Sequence, residues 1–453
     1  MARARFGSRL GFVIAAAGSA IGLANIWRFP YIVGHHGGAS FLFVYLGFLL
    51  LIGLPVFAAE VLIGRHTHLN PAGAFAKLGG TGLWRSAGHV TLATGLLVSS
   101  FYSVVAGWVL GYVYQAFSGQ LLELSTVDLA ATHFDAFCAN GLETLLFHTL
   151  FMAASGFILY FGVQKGLERG NKLLLPLLFL MLLFLLIYSL SLPDSSLGVR
   201  FLLEPDWSAL TPMAMVTALG HAFFTLSLGQ GTMVTYGSYL RGDENILSTI
   251  SWAVAMDTVV SLSAAFIVFA IVFSTGFEPD SGPGLLFATL PAVFSKLQAG
   301  QWIGAAFFLL VLLAALTSQI SAMEPSIAYL RDRWGWSRHK SVSSIALAAW
   351  LMGAPIALST GPLSGLQLFG MNLLGLISSL ANDLLIPAGG LFAVLLVGWR
   401  WGKAGALKEL FQGLPPAWQE SRWVKSYFWL CLKFIAPLLI VLIFLQVTGL
   451  LTL

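Results

Sequence analysis

Apolar runs recur along almost the whole chain, each closed by a short polar or basic stretch, and a helix needs about twenty such residues to cross a bilayer. Eleven segments fit that length and are predicted to be membrane-spanning helices: 11–33, 40–64, 86–117, 144–163, 171–192, 211–240, 247–275, 298–331, 342–360, 364–399 and 424–448. The first of them is not plain. Its middle reads Gly18-Ser19-Ala20-Ile21-Gly22-Leu23-Ala24-Asn25-Ile26-Trp27-Arg28-Phe29-Pro30. Glycine weakens a helix and lets neighbouring backbone come close. Polar and charged groups at membrane depth usually face a cavity, and non-helical backbone survives there only inside protein or beside water. A broken helix is predicted, whose freed amides and carbonyls bind something small and charged.

Composition fixes the class. With 58% hydrophobic and 9% charged residues over 453 positions, the chain is an all-α polytopic membrane protein. The net charge of +4 points to no nucleic-acid partner, because the charges follow topology. With the N-terminus placed in the cytoplasm, all of the 23 Lys and Arg but Arg28, Arg200 and Lys296 fall on inward ends and loops. An odd number of spans then puts Leu453 outside. Arg3, Arg5 and Arg9 ahead of an Ala-rich run resemble a signal peptide, but Arg28 and Pro30 inside the run favour a retained helix. Cys138 and Cys431 make neither a disulfide framework nor a metal site. No soluble domain fits in the remainder, so residues 1–453 read as a single membrane domain.

Span six repeats the anomaly of span one. It reads His221-Ala222-Phe223-Phe224-Thr225-Leu226-Ser227-Leu228-Gly229-Gln230-Gly231, with hydroxyls and a Gly-x-Gly at mid-membrane. Spans one and six open two consecutive five-helix sets, 11–192 and 211–399, with 424–448 as an added span. Five is odd, so the second set runs through the membrane in the opposite sense. That is the 5+5 inverted repeat of secondary transporters, with the site at the midplane between the halves.

The residues then become specific. Ser8-Arg9-Leu10-Gly11-Phe12, Asn25-Ile26-Trp27-Arg28-Phe29-Pro30-Tyr31, Phe223-Phe224-Thr225-Leu226-Ser227-Leu228-Gly229 and Leu316-Thr317-Ser318 together resemble the neurotransmitter:sodium symporter family, in particular its bacterial amino acid members. The resemblance covers Ser8 to about Trp399 and continues into span eleven. It implies sodium-coupled uptake of an amino acid by alternating access, in a bacterial inner membrane, with the lipid bilayer but no obligatory protein as partner.

Residue by residue, the resemblance implies two sodium sites. One takes the carbonyl of Ala20 with Asn25, Thr225, Asp257 and the substrate carboxylate; the other takes carbonyls of Gly18, Ile21 and Ala314 with the hydroxyls of Thr317 and Ser318. Buried membrane hydroxyls otherwise bond the i−4 carbonyl. Asp257 lies at mid-span, where a carboxylate costs about 2.5–3.5 kcal/mol by insertion scales. Either it supplies the negative charge that chloride supplies in relatives, so that chloride is not required, or Ser261 still completes a chloride site with Tyr45 and Thr225. His221, where relatives often carry glutamine, either tunes the pH response of this corner or is a neutral packed histidine.

For the substrate, Tyr102 aligns with the tyrosine that bonds the carboxylate, helped by the amides around Leu23 and Ala24. Gly22 replaces the aspartate of monoamine transporters, which implies an α-amino acid. Ser19, Ala20, Val98, Phe224, Thr225, Ser227, Gln230, Ser318 and Ala322 complete the expected pocket, with Phe224 as its lid. Small Ala322 suits a bulky neutral side chain. Gln230 either donates to that side chain or points into the outer vestibule.

Arg28 is the outer-gate arginine by resemblance, but Ser378 stands where its aspartate partner is usual, with Asn382 and Asp383 a turn further on. Arg3 and Asp332 match the inner pair, with Phe6 where tryptophan is common and Tyr239 nearby. Gly166 and Pro176 have the spacing that lets the inner half of span five unwind in relatives, so that water reaches the inner sodium. A protease is disfavoured, since there is no His-Glu-x-x-His motif and no pair of intramembrane aspartates. A sodium-independent amino acid exchanger of the same fold is the runner-up, and should lack Thr317-Ser318 and the Asn25/Asp257 pair.

Overall fold

A computed structural model describes residues 5–80, 82–240, 244–275 and 282–450, and Arg3 lies outside them. Helices dominate, and among the described residues the only β pairing is an isolated bridge between Leu368 and Met371. The segments that build the membrane bundle are α1 (Arg9–Ala20) and α2 (Ala24–His35), α3 (Ala39–Thr67), α4 (Gly82–Ser118), α5 (Gly141–Tyr160) and α6 (Val163–Leu190). After them come α7 (Pro212–Phe224), α8 (Thr232–Gly237), α9 (Ile246–Ser274), α10 (Gly300–Trp334), α11 (Arg338–Leu358), α12 (Leu373–Trp401) and α13 (Arg422–Val447).

The predicted break in span one is present: α1 and α2 form a pair bent by 52° around Ile21-Gly22-Leu23. The span predicted over 211–240 is not one helix. It is α7, a non-helical stretch over 225–231, and the six-residue α8. Ser227, Gly229 and Gly231 all take positive φ there, at 53°, 78° and 80°. By length and apolarity nine helices among the described residues can cross a membrane, or ten with the bent pair, so the expected eleven is reached only by counting α7 and α8 together.

Local chemistry explains the helix ends. Ser8 caps α1 by accepting from Gly11 N, and Thr211 caps α7 by accepting from Ala214 N just ahead of Pro212. Helices α1, α4, α9 and α10 supply much of the buried interior, while α6 exposes Leu173, Leu180, Leu183, Phe184 and Ile187 along its outer face, as a lipid-facing helix must. Two pairs of elements touch backbone to backbone. A side chain on Gly64 of α3 would stand 1.9 Å from the Val234 carbonyl oxygen, and one on Gly237 would stand 2.4 Å from that of Val61, so α8 is seated directly on α3. Likewise a Cβ on Gly229 would lie 1.9 Å from the Ile386 oxygen, which binds the second break to α12.

Candidate functional site

The two breaks lie side by side at the centre of the bundle. At the first, Gly22 N donates to Asn25 Oδ1 at 2.7 Å and Leu23 N to the Tyr102 hydroxyl at 3.1 Å. Gly22 cannot be larger, because a Cβ there would sit 2.5 Å from Ser318 Oγ and 2.9 Å from the Tyr102 hydroxyl. The last carbonyls of α1 have no helical donor and receive hydroxyls from α10 instead. Ser318 Oγ donates to Ser19 O and Ile21 O, both at 3.0 Å, and Thr317 Oγ1 lies 3.4 Å from Ile21 O and 2.9 Å from Ala314 O. The residues expected at the second sodium site are therefore one oxygen-rich cluster at the negative end of the α1 dipole.

Asp257, Asn25, Thr225 and Ser261 meet a turn away, all buried. Asn25 Nδ2 donates to Asp257 Oδ1 at 2.7 Å, Ser261 Oγ at 2.8 Å and Thr225 Oγ1 at 3.0 Å. Thr225 Oγ1 reaches both Asp257 oxygens at 3.2 Å. The resemblance puts the Asn25 oxygen among these groups, whereas the structure turns the amide so that its nitrogen faces them and its oxygen faces Gly22 N. Rotation about the last side-chain bond would turn the oxygen toward these groups, but would set Nδ2 against the Gly22 N–H, itself a donor. Tyr45 faces Thr225, Ser261 and Asp257, but its hydroxyl makes no hydrogen bond of normal length. His221 stacks on Phe29 at 5.3 Å and lies 5.5 Å from the Tyr45 ring, with both ring nitrogens buried and unpartnered.

A cavity opens between these clusters, lined by Ala20, Gly22, Leu23, Ala24, Val98, Tyr102, Phe224, Thr225, Ser227, Gln230, Ser318, Ala322 and Ile386. All the expected pocket residues line it except Ser19, which contributes its carbonyl, accepting from Ser227 Oγ at 2.8 Å and from Ser318. Gln230 lines this cavity and not the vestibule beside Arg28, with Nε2 3.4 Å from Ser227 O. Two participants escaped sequence reasoning. Ile386 reaches the cavity from α12, and Glu60 of α3 holds the second break open by accepting from Gly229 N at 2.6 Å. A carboxylate in the apolar run 54–63 was the signal for Glu60.

The profile of the "Sodium:neurotransmitter symporter family" matches residues 3–134 and 139–451. The chain belongs to that family. It is therefore a multi-pass membrane transporter and not an enzyme. It is 38% identical to an uncharacterized sodium-dependent transporter of Bacillus subtilis over 99% of this chain and 98% of that one. It is 33% identical to another from Haemophilus influenzae, over 98% of each. A solved structure, MhsT in complex with L-phenylalanine, superposes with a TM-score of 0.88 at 40% identity, covering 98% of this chain and all of that one.

The transporter's cavity has different surroundings on its two sides. Toward α2 and α12 lies a vestibule lined by Trp27, Arg28, Tyr31, Phe101, Trp108, Ser378, Asn382 and Asp383, among others, and Phe224 and Tyr102 face both spaces. The Arg28 guanidinium lies 4.9 Å from the Phe224 ring centroid, and Asp383 lines the same vestibule. Ser378, Ser379, Asn382 and Asp383 all line this vestibule from α12.

At the other end, Tyr239 donates to Glu324 Oε1 at 2.7 Å, and Arg338 grips both Glu324 oxygens at 2.7 and 2.8 Å. Phe6 packs edge-on against Phe12, Tyr236 and Tyr239. Asp332 accepts from Asn70 N and Nδ2, and its expected partner Arg3 lies outside the described residues. The Glu324–Arg338 pair was missed because neither residue belongs to a recognisable motif; Glu324 in the apolar run of α10 was its signal.

Proposed function

We propose that the protein couples sodium to the uptake of a neutral L-amino acid with a bulky hydrophobic or aromatic side chain, by alternating access across the bacterial inner membrane. The N-terminus is cytoplasmic and the C-terminus outside, which makes the Arg28 end outer and the Arg338 end inner. The observation that carries the reading is the polarity of the cavity. Tyr102, the Leu23 amide and the Asp257 corner gather at one side, where an amino acid carboxylate and a cation neutralise one another. Val98, Phe224, Ala322 and Ile386 supply an apolar side for the side chain. The similarity to MhsT, solved in complex with L-phenylalanine, supports this class of ligand.

Two sodium sites are proposed, one at Ala20, Asn25, Thr225 and Asp257, the other at Gly18, Ile21, Ala314, Thr317 and Ser318. Thr317→Ala with Ser318→Ala should leave the protein folded but abolish sodium dependence. The deciding experiment measures L-phenylalanine and L-tryptophan binding to purified protein in NaCl and then in KCl. Affinity unchanged by the exchange would leave the sodium-independent exchanger standing. Tryptamine bound in preference to tryptophan would overturn the role given to Gly22 and Tyr102.

Chloride is proposed to be unnecessary. Unit charges ~4 Å apart attract by about 4 kcal/mol at an effective dielectric near 20, so a fixed Asp257 carboxylate beside sodium supplies what a bound chloride would. Asp257→Asn should lose uptake in gluconate and regain part of it in chloride, through Tyr45, Thr225 and Ser261. Strong chloride dependence of the wild type would return Asp257 to the role of a plain sodium ligand.

A further inference from the structure

One buried polar atom beside the α1–α10 cluster has no part in the ligand set above. Asn171, on α6, is fully buried. Its Nδ2 donates to Leu167 O at 2.9 Å, one turn back on the same helix, while its Oδ1 has no hydrogen-bond partner. An amide oxygen left in that condition costs about 1–3 kcal/mol, so buried amides are normally satisfied on both sides. The oxygen points at the seam between α1 and α10. A Cβ placed on Gly18 would stand 2.2 Å from Asn171 Oδ1 and 3.5 Å from Thr317 Cβ. Glycine at 18 thus makes room for this oxygen next to two residues of the second sodium site.

The surrounding turn of α6 is loosely held. Pro176 lies inside the helix and has no N–H, so the Lys172 carbonyl loses its helical donor. The turn before Asn171, Val163–Glu168, is a wide π turn, and Glu168 reaches across to accept from Gly7 N at 2.7 Å, at the start of α1. Asn171 therefore sits where α6 can open and where α1 is anchored.

We propose that Asn171 Oδ1 is a further oxygen of the second sodium site, accepting a hydrogen bond from a water bound to the ion and so completing the site from the α6 side. The inference rests on the sodium reading of Thr317 and Ser318. With the ion and its water in place the amide is satisfied on both sides. As the ion leaves, Oδ1 remains as a polar step on the path along the loosened turn of α6.

The test needs no substrate. Thermal unfolding of the purified full chain is followed in detergent at pH 8 while NaCl replaces KCl at constant ionic strength, and the half-saturating sodium concentration is read from the rise in Tm. Asn171→Leu and Asn171→Asp both remove the donor to Leu167 O, but only the aspartate keeps an oxygen, now charged, at the seam. The leucine variant should need about three- to tenfold more sodium, the span of one ordinary hydrogen bond, and the aspartate variant should need less than wild type. Equal shifts in one direction, or no shift in either variant, would mean that Asn171 only ties α6 to itself, and would overturn the inference. If the leucine variant does not fold, the aspartate variant decides alone: sodium affinity unchanged or weakened overturns it. A wild type whose Tm ignores sodium would instead remove the sodium reading itself, which separates the two failures.

Discussion

The two ends of the central cavity are built from different chemistry. At the Arg338 end stands a buried, charged network: Glu324 fully enclosed, two guanidinium contacts, a tyrosine hydroxyl, and Arg338 Nε donating to Leu159 O at 2.9 Å. The Phe6, Tyr236 and Tyr239 rings lie beside it. At the Arg28 end, Phe224 and Tyr102 face both the cavity and the vestibule. Opening the first end means separating a desolvated ion pair whose partners have nowhere else to go. Opening the second means swinging an aromatic ring away from a guanidinium. The contrast teaches that one mouth is held by directional, desolvated bonds and the other by a ring against a guanidinium.

The comparison breaks most readily at Arg338. Arg338→Ala strands the Glu324 carboxylate, and removing one partner of a buried pair costs about 3–5 kcal/mol. A large drop in Tm is expected, and Glu324→Gln in the same chain should restore most of it. If Arg338→Ala changes Tm by less than a degree or two, the pair is not the seal that its geometry indicates.

A smaller effect is expected at the other mouth. Phe224→Ala removes the ring over which Arg28 lies, an interaction of about 0.5–2 kcal/mol, so ligand release toward the vestibule should quicken by a few fold to about thirtyfold with little loss of Tm. Dissociation rates of bound L-phenylalanine measure it, and a slower release would mean that Phe224 is not a lid. The smallest effect belongs to Asp383→Asn. The Arg28–Asp383 interaction borders a vestibule, where exposed charge pairs contribute about 0–1 kcal/mol, so release should change by no more than about fivefold. A change as large as that of Phe224→Ala would make the two ends more alike than described.

Much of this was legible in the residues themselves. Local signals, such as glycine, asparagine and hydroxyls inside an apolar run, located both breaks, because helix-breaking chemistry acts on its own neighbourhood, whereas the clusters around them came from the family resemblance. Long-range pairing was not legible. Glu60 serves a glycine far along the chain, and Glu324 is matched by an arginine on the next helix. Each depends on how helices are rotated against one another. The side reached by Gln230, the cavity and not the vestibule, depended on the same rotation.

The contact of α8 with α3 through Gly64 and Gly237 bears on how any motion here can be followed. With carbonyl oxygens lodged where side chains would be, neither element can slide on the other without a collision. The separation between α3 and α8 should then stay constant throughout a turnover. That separation is an internal ruler, carried by the molecule, against which displacements of α1 or α6 can be calibrated.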